Sequence, residues 1–177
     1  MLKQTVSTRR LCRAGLIAGL YTALTYAFLP FAFGPFQIRP AEALCLLPLF
    51  FPESVVALFI GCALANIASP MLYDLVFGSL TTLVAGVCTF FVGKLLKTDT
   101  AKIAVGGIFP VLLNAIVIPF MLVFFYDGGV GANGFFVAYI PYFLSILLTQ
   151  AVWVYALGTP MYFSVKRLQN RGVKFFT

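Results

Sequence analysis

The chain alternates long apolar runs with short polar breaks, and most of the runs are long enough to cross a bilayer. Helix-start and helix-stop signals divide it into six helices at about 11–33, 41–51, 52–69, 74–93, 101–125 and 135–165. Gly34-Pro35 ends the first, and a proline closely followed by an acid, at Pro40-Ala41-Glu42 and at Pro52-Glu53, opens the second and third. The second helix is short. At about 1.5 Å per residue it covers only about half of a roughly 30 Å hydrocarbon layer. It must therefore be sheltered by neighbours, begin earlier, or have water at its ends. Gly106-Gly107, Pro110 and Pro119 predict bends in the fifth helix. A glycine-rich loop around Asp127 separates it from a sixth helix long enough to tilt or to extend past the bilayer. No soluble domain, nucleotide-binding motif or internal repeat stands out, so residues 1–177 read as one membrane domain.

Charge orients these helices. Eleven of the twelve basic residues fall in three clusters: Lys3, Arg9, Arg10 and Arg13; Lys94, Lys97 and Lys102; and Lys166, Arg167, Arg171 and Lys174. Under the positive-inside rule all three clusters face the cytoplasm, which puts both termini inside, two hairpins of helices before the middle cluster and one after it. Positions 34 and 129 then lie outside. Arg39 is the exception and needs a partner. The basic start followed by an apolar run resembles a signal peptide, but it continues without a convincing small-residue cleavage site and reads as a retained first helix.

Composition narrows the function classes. The chain is 62% hydrophobic and 10% charged, with more apolar surface than a soluble core of 177 residues can hide. Its net charge of +7 sits at membrane flanks, which suits anionic lipid and argues against nucleic acid. There is no histidine, which removes the commonest general base and metal ligand and weakens every enzyme reading. The four cysteines, Cys12, Cys45, Cys62 and Cys88, are widely spaced in apolar segments and read as buried thiols, with neither a metal site nor a disulfide framework implied.

Polar residues gather at one depth. Arg39 and Glu42, Asn66 and Ser69, Asp74, and Tyr139 and Tyr142 all fall in the outer half, with Asn114, Thr149, Gln150 and Trp153 deeper. Such groups are costly in a membrane unless they face protein or water, so they are candidates for a binding site. The competing reading is interhelical hydrogen bonding, preferred for Thr81, Thr89 and Ser145. Glu42 and Asp74 read equally as acids at helix starts, with Arg39 a candidate partner, and Trp153 reads first as packing. Tyr139, Tyr142, Ser145, Thr149 and Trp153 share one helix face. Helix 1 has small residues at intervals of four, Ala14 with Ala18 and Gly15 with Gly19, Ala23 and Ala27, and helix 3 repeats the pattern at Ala57, Gly61, Ala65 and Ser69. Both allow close backbone approach, within the bundle or to another protein.

Three segments carry a resemblance: Gln37-Ile38-Arg39-Pro40-Ala41-Glu42-Ala43-Leu44 with Leu47-Pro48, then Gly61-Cys62-Ala63-Leu64-Ala65-Asn66, then Asp74 through Thr82. In these the chain resembles the substrate-binding S components of energy-coupling factor (ECF) transporters, specifically the QueT group assigned to queuosine precursors. The resemblance implies an all-α six-helix bundle in the bacterial plasma membrane. It implies a receptor with no catalytic role or cofactor, capturing a 7-deazaguanine such as preQ1, preQ0 or queuine. A transmembrane coupling protein and two ATPase subunits on other chains would supply the motor, with Ala14 and Ala18, or the neighbouring Gly15 and Gly19, at the coupling interface. The residues expected around the ligand are Glu42 and Asp74 for its donors and cation, Asn66, Asn114 and Gln150 for the rest of its edge, Tyr142 or Trp153 for stacking, and Arg39 to hold Glu42. An autonomous transporter, or an S component for another vitamin-like ligand, remains the alternative.

Overall fold

A computed structural model describes residues 8–33, 37–69, 72–126 and 134–173. Asp127, the rest of the glycine-rich loop, and positions 34 and 129 lie outside the described residues. The described part is helical throughout: α1 Thr8–Ala27, the single turn α2 Leu29–Ala32, a 3-10 helix Pro40–Leu49, α3 Glu53–Asn66, α4 Ser79–Leu95, α5 Asp99–Met121, α6 Phe135–Ala151 and α7 Gly158–Asn170. Wider π-helical turns at Asp74–Gly78, Leu122–Tyr126 and Val152–Leu157 precede α4, follow α5 and join α6 to α7.

Among the described residues three helices are long and apolar enough to cross a membrane, Asp74–Leu95, Asp99–Phe125 and Phe135–Asn170. Polarity is inverted relative to a soluble protein. Phe136 is 71% exposed and Leu148 66%, whereas Gln150 is 0% and Glu42 1%. An apolar exterior around buried amides and a carboxylate suits lipid outside and a polar function inside.

Two expectations need correction. The first helix does not run unbroken over 11–33. It stops at Ala27, and Phe28 leaves helical geometry (φ −110°, ψ 22°) before Pro30 enters the next turn. The second helix is not an α-helix but a 3-10 helix from Pro40 to Leu49. At about 2.0 Å per residue its ten residues span roughly 20 Å, so tighter winding makes up part of the missing length. Shelter supplies the rest. Every residue from Pro40 to Pro48 is buried, and the segment packs against α1, α3, α4, α5, α7 and the turn Val152–Leu157. Apolar on every side except at Glu42, and buried throughout, it has no solvent face and becomes the axis of the bundle.

Close packing around that axis relies on glycine. A Cβ on Gly158 would lie 2.9 Å from Leu46 Cδ1 and 3.2 Å from the Ala43 carbonyl oxygen, so a larger residue there would push Leu46 aside and press on the 3-10 helix backbone. Where α1 crosses α3, hydroxyls join the backbones: Thr22 Oγ1 donates to the Gly61 carbonyl (3.1 Å) and Tyr26 Oη to that of Leu64 (3.0 Å).

Ion pairs tie the end of the bundle that carries the basic clusters. Asp99, opening α5, accepts from Tyr162 Oη (2.9 Å) and from Lys166 on α7. Arg13, counted above as a flanking cation, is buried. Its guanidinium pairs with Glu53 Oε1 at 2.5 Å and lies 4.0 Å from the centre of the Phe51 ring. Removing one partner strands the other charge, so Arg13→Met should lower unfolding stability by about 3 to 5 kcal/mol, while adding Glu53→Met should recover most of the loss. Thermal and denaturant unfolding of the single and double variants in detergent checks this. Equal destabilisation by both would mean that the Phe51 contact dominates.

Candidate functional site

The 3-10 helix sets up the site through its period. Three residues per turn bring i and i+3 into register, so Arg39, Glu42 and Cys45 stack along one face. Each of the three is at most 4% exposed.

Glu42 lies where four elements meet. Its Oε1 accepts from Tyr21 Oη of α1 at 2.7 Å. Its Oε2 accepts from Cys45 Sγ at 3.2 Å and, more weakly, from Asn114 Nδ2 of α5 at 3.4 Å. The same Asn114 nitrogen lies 3.3 Å from Gln150 Oε1 of α6. One buried carboxylate is thus held by a phenol, a thiol and an amide, and the amide continues to a second amide.

A second group sits one turn away. Arg39 Nη2 donates to Asn66 Oδ1 (2.5 Å), and its guanidinium stands 5.1 Å from the centre of the Phe33 ring. Asn66 Nδ2 donates to the backbone carbonyl of Asp74 (2.8 Å), and Ser69 Oγ to the Asp74 carboxylate (2.5 Å). Gly78 has its lack of a side chain for this reason, since a Cβ there would come within 2.8 Å of Asn66 Nδ2. Asp74 remains half-buried, which leaves its carboxylate the more accessible of the two.

Six of the eight expected residues therefore converge: Glu42, Asn114 and Gln150 in one group, and Arg39, Asn66 and Asp74 in the other. The partnership expected of Arg39 is different. It forms no ion pair with Glu42 among the described residues; Asn66 and Phe33 take its guanidinium, and Nε has no acceptor. The α6 face is also rotated from expectation. Ile146 and Gln150 are buried, continued by Val154 beyond α6, whereas Tyr142 and Trp153 are half-buried and make neither a hydrogen bond nor a ring contact among the described residues.

Tyr21, Cys45 and Gln37 were not anticipated. Tyr21 is wholly buried and belongs to the stripe Arg13, Ile17, Ala18, Tyr21 and Thr25, a helical period that the small-residue pattern of the same helix obscures. Cys45 had the i+3 spacing from Glu42 as its signal. Gln37 is buried in the left-handed region (φ 32°) with Oε1 unpartnered, which no local pattern announces.

The two small-residue rows of α1 face different ways. Ala18 is buried against α3, and Ala14 packs at the edge of the same core. A Cβ on Gly15 or Gly19 would meet nothing within 4 Å among the described residues.

No curated protein and no solved structure matches the chain. A family model described as QueT transporter matches residues 11–167, from the first turns of α1 to the last of α7 and across every residue of both polar groups. With an apolar shell around a buried polar interior and a match over nearly its whole length, the chain belongs to the QueT transporter family.

Proposed function

We propose that the protein is the substrate-binding S component of an ECF-type importer, taking a 7-deazaguanine from outside the cell and delivering it inward with ATPase subunits on other chains. One observation carries this reading: a buried carboxylate and two linked amides, contributed by separate elements, converge inside a lipid-facing helical shell. A guanine-like edge presents adjacent N–H donors for a carboxylate and a carbonyl for an amide, and an aminomethyl cation suits the more accessible Asp74. Tyr142 and Trp153, half-buried and unengaged, are the aromatics left to stack on a ring.

The coupling surface follows from the open side of α1. Ala18 is engaged by α3, so contact with a transmembrane coupling protein runs through Gly15 and Gly19, with Ala14 at the border. The bundle spans the membrane six times with both termini cytoplasmic, an orientation that rests on the basic clusters. Cysteines placed singly at positions 34 and 129 in a cysteine-free background should react with an impermeant reagent from outside, and one at position 97 should not. Reaction at 97 alone would invert the topology.

Titration of the purified chain with preQ1, preQ0, queuine, guanine and riboflavin tests the ligand class. Tight binding of a deazaguanine without the ATPase subunits supports the receptor reading, and binding of riboflavin alone overturns it. An autonomous transporter would instead show sustained uptake in cells carrying only this chain.

A further inference from the structure

We infer that Gln150 reads the ring carbonyl of the ligand, donating to it through its side-chain NH2. The inference rests on the ligand reading above and deepens it.

The polarity of the relay is set at Glu42. Asn114 presents its NH2 to Oε2, which accepts at 3.4 Å. That same nitrogen faces one terminal atom of Gln150, which must then be the oxygen. The Gln150 NH2 is thereby turned to the other side, where Nε2 is buried and has no acceptor among the described residues. The second group shows the same logic. The donor-only guanidinium of Arg39 takes the oxygen of Asn66, which turns the Asn66 nitrogen to the Asp74 carbonyl. There the chain ends on a satisfied acceptor. The Glu42 chain ends on an orphan donor.

A buried amide left without an acceptor is strongly unfavourable, and protein interiors rarely leave one so. A ligand carbonyl would satisfy it. Gln150 then presents its free donor to that carbonyl. An aminopyrimidine edge with a donor in the carbonyl position would oppose two donors and be rejected.

Equilibrium titrations on the full-length chain in detergent, with 7-aminomethyl-7-deazaguanine and its 6-thio analogue, test this. Sulfur accepts hydrogen bonds weakly and leaves the neighbouring N–H in place. The parent should prefer the oxo ligand by about tenfold or more. Gln150→Met, close in size but without the donor, should weaken oxo binding about tenfold to a hundredfold, leave thio binding nearly unchanged, and so erase the preference. Gln150→Glu should bind the oxo ligand more weakly still, since it sets an acceptor against an acceptor. A parent that binds both ligands equally, or a Gln150→Met variant that loses both in proportion, overturns the role of Gln150 and leaves the ligand class standing. The parent comparison needs no variant to fold. Binding of neither compound by the parent overturns the ligand class, and this inference with it.

Discussion

Glu42→Gln should reduce deazaguanine affinity by about a hundredfold. Two losses combine. The charge that accepts the ligand's donors disappears, and the new amide brings its own NH2 into a position where Tyr21, Cys45 and Asn114 all donate. Turned toward Cys45 and Asn114 the NH2 faces donors, and turned toward Tyr21 it uses the phenol as acceptor and deprives that hydroxyl of its own, so a fall in stability of about 1 to 3 kcal/mol should accompany the loss of binding. Asp74→Asn is the cleaner probe. It disturbs the contact with Ser69, sits half-buried, and should weaken aminomethyl-bearing ligands about tenfold while leaving guanine unaffected. Calorimetric titration of both variants with preQ1 and guanine decides the matter. Wild-type affinity in both would leave the two acids as structural helix-start groups.

Along α1 the expected effects split by face. Gly19→Trp should leave ligand affinity and melting temperature near the parent and abolish co-purification with a coupling protein, because its side chain enters open space on the outer side. Ala18→Trp and Gly61→Val should fail in the opposite way. A Cβ at Gly61 already falls 2.9 Å from the Ala18 carbonyl oxygen, 3.1 Å from its Cα and 3.0 Å from Tyr21 Cβ. Backbone cannot step aside as a flexible side chain does, so we expect destabilisation above about 3 kcal/mol and little folded protein. The milder Gly61→Ala pushes on the helix that carries Tyr21. It should therefore lower ligand affinity even where the fold survives, through loss of the 2.7 Å bond to Glu42. Retained binding in Gly61→Ala would show that Tyr21 only packs. Loss of ligand binding in Gly19→Trp would move the outer face of α1 from partner surface to internal fold.

Much of this was legible along the chain, for a physical reason. Membrane insertion is governed by local sums of side-chain transfer energies, and helix ends by caps, prolines and glycines within a turn, so the helical class, the approximate extents of the helices and the gathering of polar residues at one depth follow from neighbours in sequence. Asn114, Gln150 and Glu42 were findable because an interior amide or acid in an apolar helix needs a partner wherever it lies. Which partner it takes is not a local property. Arg39 and Glu42 are three residues apart and of opposite charge, yet Asn66, brought in by α3, takes the guanidinium while Tyr21 from α1 takes the carboxylate. The winding of Pro40–Leu49 was likewise decided from outside. A decamer apolar at every position but Glu42 has no solvent face, and six neighbouring elements close on the narrower 3-10 form that stacks Arg39, Glu42 and Cys45. The sequence by itself determined a helical membrane protein with a polar interior; only the packing of α1 on α3, through the bare backbone at Gly61, decided which row of small residues is buried and which remains open, because close approach depends on the surface that meets it as much as on the residues that allow it.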